Sequence, residues 1–121
     1  MNQNDLKQRT KKFALKIINF VETLPKGCTA DVLGNQLLRS GTSVGANYRA
    51  ACRARASTDF ISKMGIVEEE IDESLYWIEL LETSGLVSHE KVTDLLNEAN
   101  QLTAITVASI KTARQNKNRV L

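Results

Sequence analysis

Two rows of polar side chains recur at helical spacing in the middle of this 121-residue chain. Gln36, Ser40, Ser43 and Asn47 stand at i, i+4, i+7 and i+11, so a helix would carry all four along one flank. Ile66, Glu70, Glu73 and Trp77 repeat that spacing further on. Carboxylates beside hydroxyls and amides suggest metal binding, acid–base chemistry or a partly buried hydrogen-bonded network. A di-metal bundle site needs Glu-x-x-His motifs on two helices with further glutamates. The chain has a single histidine, His89, outside any such motif. Hydrolysis by paired carboxylates needs a cleft between them, and nothing in the pattern makes one. Gly41 and Gly45 follow no strand and precede no Lys-Ser/Thr pair, so they form no phosphate loop. The reading is therefore non-enzymatic, with no catalytic residue, cofactor, metal or small-molecule substrate assigned. What remains is a seam whose carboxylates need donors. Arg39, the first polar row and the indole of Trp77 are available. The matched spacing places Ser43 and Asn47 within hydrogen-bonding reach of Glu70 or Glu73 of the same subunit.

A second chemistry is phosphate contact. Arg49 and Arg53 lie at i and i+4, with Arg55 close by, and Lys12 and Lys16 repeat that spacing earlier. These five are the candidate nucleic-acid contacts, to RNA or DNA. Phe13, Phe20 and Phe60 belong to apolar stripes, so no aromatic stacking platform accompanies them. Contact would be to phosphates and weakly sequence-specific. The net charge of +2 hides a strong asymmetry. Residues 1–56 hold ten Lys/Arg against three Asp/Glu, and residues 57–87 hold one against eight. Basic and acidic helices neutralising each other, within a bundle or between subunits, is the plainer explanation.

The elements that position these rows are four helices, read from a period near 3.6. The first is expected at about 5–23, with Leu6, Phe13, Ile17 and Phe20 on its apolar stripe, and ends at Leu24-Pro25-Lys26-Gly27. The second is expected at 29–56 with Thr29 as N-cap. Gly34, Gly41 and Gly45 fall on one side of it and imply a closely packed neighbour; a break at Gly41 is the competing reading. The third, 59–84, follows the capping cluster Ser57-Thr58-Asp59 and ends at Ser84-Gly85. The fourth is expected at 89–115, with the tail from Arg114 frayed. Short connections give an all-α, antiparallel up-down-up-down four-helix bundle in one domain, 1–121.

No apolar run approaches the roughly 20 residues that span a membrane. The N-terminus is polar and lacks the apolar middle of a signal peptide. Cys28 and Cys52 form no disulfide framework or metal spacing. These features place the protein in the cytoplasm with reduced thiols.

At the two polar rows the chain resembles a bacterial family, the four-helix-bundle proteins typified by the 23S ribosomal RNA intervening-sequence protein. The ordered set comprises Gln36, Arg39, Ser40, Ser43, Ala46 and Asn47, then Ser57, Asp59, Phe60 and Lys63, then Glu70, Glu73, Ser74, Tyr76 and Trp77. The Leu24-Pro25 turn fits as well. The resemblance implies a four-helix bundle and a ring-like homopentamer, with an interaction scaffold as the expected role. The chain is also similar to the accessory proteins of diversity-generating retroelements, basic pentameric bundles that bind nucleic acid and a reverse transcriptase. Ile18, Ile66, Leu80 and Ile105 fall off the inward stripes and need cover, which a cyclic assembly would supply.

Overall fold

A computed structural model describes residues 1–119. Four helices make up the fold: α1 (Gln3–Glu22), α2 (Cys28–Cys52), α3 (Ser57–Thr83) and α4 (His89–Arg119). Their apolar stripes converge on one core, with Phe13, Ile17, Leu37, Met64, Ile71, Ile78, Leu81 and Leu102 almost fully buried. Consecutive helices pack side by side, and α4 returns to α1 through the thinnest contact of the bundle. Pairings across the interfaces fix antiparallel directions. Gly34 meets Val21 and Leu24 while Gly45 meets Thr10. Glu82 pairs with His89 at the α3–α4 turn, and Arg9 and Lys16 pair with Glu98 and Asp94 in descending order.

Several boundaries differ from the expected ones for local reasons. Helix α1 begins two residues before Asp5, because Asn2 and Asp5 form a capping box. Asn2 Oδ1 accepts from the Asp5 N–H at 2.8 Å, and Asp5 Oδ2 accepts from the Asn2 N–H at 3.3 Å. The N-cap of α2 is Gly27, and Thr29 lies inside the first turn. That helix stops at Cys52, four residues short of the expected end. Arg53 and Ala54 donate to Ala50 and Ala51 at 3.1 and 3.0 Å, tightening the last turn into i−3 bonds. The cluster Ser57-Thr58-Asp59 forms the first turn of α3 rather than its cap, and Ala56 is the N-cap without a side-chain bond. Asp59 still favours the positive helix end and pairs with Lys63 at 3.7 Å. Gly85, at φ 82°, closes α3. Its N–H donates to Glu82 O and the Leu86 N–H to Leu81 O, the two bonds of a Schellman stop. Helix α4 continues to Arg119 instead of fraying from Arg114; of the expected tail, Val120 and Leu121 lie outside the described residues.

Helix α2 is unbroken at Gly41, and its glycines serve the close packing of α1. A Cβ at Gly41 would sit 2.8 Å from Ile17 Cγ1 and 3.0 Å from Cγ2, inside the fully buried core. A Cβ at Gly45 would lie 3.2 Å from Thr10 Oγ1, and one at Gly34 3.0 Å from Leu24 Cδ1. Gly65 on α3 faces open space.

These two environments give opposite expectations for the same substitution. Gly41→Ala gains about 1 kcal/mol of helix propensity but forces a buried isoleucine off its position, at a cost of about 1–3 kcal/mol. The net expectation is destabilisation. Gly65→Ala meets nothing and should stabilise by about 0.5–1 kcal/mol. Urea unfolding of the two variants checks the signs, and a stabilised Gly41→Ala would refute the close-packing account.

Candidate functional site

The polar seam runs along the outer edge of the α2–α3 interface, and Arg39 organises it. Its guanidinium donates to Glu70 Oε2 through Nη1 at 3.3 Å and to Glu73 Oε2 through Nη2. Its Nε reaches Gln36 Oε1 at 3.5 Å. One arginine thus ties both carboxylates of α3 to α2. Glu70 is the more buried of the two, with its side chain 17% exposed, whereas Arg39 is half exposed. Beneath this bridge the hydroxyls of Ser40 and Ser74 meet at 2.9 Å, both fully buried. Each also reaches its own helix: Ser40 donates to Leu37 O at 3.3 Å, and Ser74 lies 2.8 Å from Glu70 O.

The expected contact of Ser43 and Asn47 with Glu70 or Glu73 does not form. Ser43 Oγ donates to Arg39 O at 2.7 Å, and Asn47 Nδ2 donates to Ser43 O at 2.8 Å. Short polar side chains in a helix satisfy themselves on the carbonyl four residues back, and the longer Arg39 crosses the interface in their place. Trp77 supplies no donor to the seam either. Its Nε1 is buried without a hydrogen-bond partner among the described residues, and its ring stands edge-on to Tyr76 with centroids 5.1 Å apart. The Ser40–Ser74 bridge was the missed member. Its signal in the sequence was a serine one turn after Glu70 on the core side of α3.

The basic residues divide between two faces. Arg49 joins Lys7 and Lys11 around a groove of about 420 Å³ between α1 and α2, floored by Ala14, Gly45 and Ala46. Small floor residues leave the groove open, and no carboxylate lines it. Arg53 and Arg55 are exposed near the α2–α3 turn. Lys12 and Lys16 belong to the other flank of α1, because Lys16 pairs with Asp94 of α4 at 3.0 Å and Lys12 precedes it by one turn. The five expected phosphate contacts therefore do not form one patch, and Lys7 and Lys11 are the residues that share Arg49's groove.

On the α4 side of α1, Arg9 makes two bonds to Glu98, at 2.8 and 2.9 Å, and also reaches Gln101. The hydrogen bond to Glu98 raises the guanidinium's pKa above its ordinary value, against the opposing effect of desolvation. Tyr48, 4% exposed in the core, has its hydroxyl pKa raised, mainly by burial and next by the neighbouring Cys52 thiol. His89 is an exposed residue whose Nδ1 lies 3.0 Å from Glu82. Among the described residues no group of three His, Cys, Asp or Glu side chains is placed to hold a metal ion. No helix there is long and apolar enough to cross a membrane.

The architecture is that of an all-α four-helix bundle with a polar seam between its second and third helices. Residues 2–108 match the family described as 23S rRNA-intervening sequence protein. The chain belongs to that family. A solved structure from Bacteroides thetaiotaomicron VPI-5482, a protein with unknown function from the S23 ribosomal protein family, is 34% identical. It superposes with a TM-score of 0.85 over 92% of this chain and 99% of the other. Among curated proteins none matches at a significant level.

The seam geometry makes a graded expectation. Arg39→Ala strips both glutamates of their partner but leaves them partly solvated, so the loss should be about 0.5–1.5 kcal/mol. Ser43→Ala should cost less than Arg39→Ala, since its hydroxyl bonds only its own helix. Denaturant titration of the two variants measures the order, and a larger loss for Ser43→Ala would contradict the assignment of Arg39 as the bridge.

Proposed function

We propose that this chain is a non-enzymatic subunit of a closed homo-oligomer that serves as an interaction scaffold in the cytoplasm. Five copies follow from the family resemblance. The observation that carries the reading is apolar surface the bundle itself does not cover. Ile18 and Ile66 are 37% and 40% exposed, and Leu15 and Tyr76 are 51% and 53% exposed. Each helix already buries a complete stripe, so these side chains contribute nothing to the single-chain core. A repeated contact between copies would cover them. Two free cysteines, one exposed and one half-buried, suit a reducing compartment.

The test is mass in solution. Light scattering at micromolar concentration should give a multiple of the 13.4 kDa chain, five in the favoured case. A monomer mass would remove the proposal.

A second reading, an accessory protein for nucleic acid, is favoured by one observation. Arg49, Arg53 and Arg55 are exposed and make no ion pair with any described residue. Contact through them would be phosphate-driven, so affinity for single-stranded RNA should drop steeply between about 50 and 200 mM salt. Arg49→Glu with Arg53→Glu should abolish it without unfolding the bundle. Absence of RNA and DNA binding by the wild type at low salt would eliminate this reading.

A further inference from the structure

The geometry points to a specific contact between copies: the basic groove between α1 and α2 of one subunit receives the outward ridge of α3 of the next. This rests on the reading of the chain as a closed homo-oligomer. The groove offers Lys7, Lys11 and Arg49 around a floor of Ala14, Gly45 and Ala46, with no acid among its lining residues. Leu15 and Ile18 continue α1 beyond the lysines as exposed apolar side chains.

The ridge of α3 is the complement. Ile66, Glu69, Asp72 and Tyr76 lie on the side of α3 away from its buried stripe of Met64, Val67, Ile71 and Ile78. All four are exposed, and neither acid pairs with any described residue. The two carboxylates face water on a helix that carries a strong excess of acid. The two lysines sit on a helix with the opposite excess.

The order of chemistry along the two helices agrees. In α1 the lysines come first and the apolar pair Leu15 and Ile18 follows. From the charged pair onward α3 runs the same way: Glu69 and Asp72, which follow Ile66, come before Tyr76, with half-buried Leu80 one turn further. The step from Lys7 to Leu15 is eight residues, and that from Glu69 to Tyr76 is seven. In an up-down-up-down bundle α1 and α3 run in the same direction. A ring whose axis lies along the bundle keeps α1 of one copy parallel to α3 of the next. In that apposition Lys7 and Lys11 meet Glu69 and Asp72, and Tyr76 enters beside Ala14 and Leu15. The small floor leaves room for its ring, and the adjacent cations can pack on it.

Charge complementarity selects a second copy as the occupant. A nucleic acid would neutralise the groove but would leave the ridge, with its exposed Ile66 and Tyr76, uncovered and repelled. A copy of the chain covers both faces with one contact. The contact is heterologous, so each subunit gives one face and receives the other, as a closed ring requires.

Light scattering and circular dichroism on designed charge changes test this. Lys7→Glu with Lys11→Glu should reduce the mass to the 13.4 kDa monomer at micromolar concentration, with helicity unchanged. Glu69→Lys with Asp72→Lys should do the same. All four changes in one chain exchange the signs and should restore the wild-type mass. A wild-type oligomer whose mass survives the lysine changes would overturn this interface while leaving assembly intact. So would four changes that fail to restore a mass lost in either pair. If the lysine changes keep the mass and abolish binding of single-stranded RNA instead, the groove is a nucleic-acid surface and the contact is wrong. A wild-type monomer would overturn the assembly reading itself.

Discussion

The close approach of α1 to α2 at Gly41 is the constraint on which the rest of this bundle depends. There the Ile17 side chain occupies the space that a Cβ would need. Glycine in a helix interior costs about 1 kcal/mol against alanine, and α2 accepts that cost at Gly34, Gly41 and Gly45. The return is a core in which Ile17, Leu37 and Val44 are completely excluded from water. The same approach shapes the outside. With Gly45 and Ala46 as floor, the space between the helices stays open, and Lys7, Lys11 and Arg49 stand around it.

On its other flank α2 uses polar contacts to meet α3. The Ser40–Ser74 hydroxyl pair is buried in the middle of an otherwise apolar interface. Sliding α3 by one turn would separate the two hydroxyls and leave each with only the carbonyl of its own helix, forfeiting a buried hydrogen bond across the interface, at about 0.5–1.5 kcal/mol. Arg39 adds the same demand from outside, since only one register brings both Glu70 and Glu73 to one guanidinium. Apolar packing supplies most of the attraction, and the polar pairs specify the alignment.

The helices, their inward faces and the glycine row were legible in the sequence because they are periodic. A stripe such as Met64, Val67, Ile71 and Ile78 has one physical meaning in a chain of this size. What was not legible depends on choices between near-equal partners. Asn2 could cap α1 or remain in solvent, and only the reciprocal bond with Asp5 decides it. Ser43 and Asn47 had the spacing to cross to α3 but found carbonyls on their own helix at shorter range. Lys12 and Lys16 read as neighbours of the second helix's arginines because spacing gives the angle around a helix, not which neighbour stands there. The fold places α4 on that side, and Asp94 takes Lys16.

Trp77 is the chain's single tryptophan, and its indole N–H is buried at the seam without a partner among the described residues. It therefore makes α2–α3 a self-reporting interface. An indole held away from water emits toward the blue, and exposure moves that emission to the red. With no second tryptophan to dilute the signal, the fluorescence of the unlabelled protein reads the state of this one helix pair. Tyr76, edge-on at 5.1 Å and on the neighbouring outward face, couples that optical reporter to whatever settles on the ridge of α3.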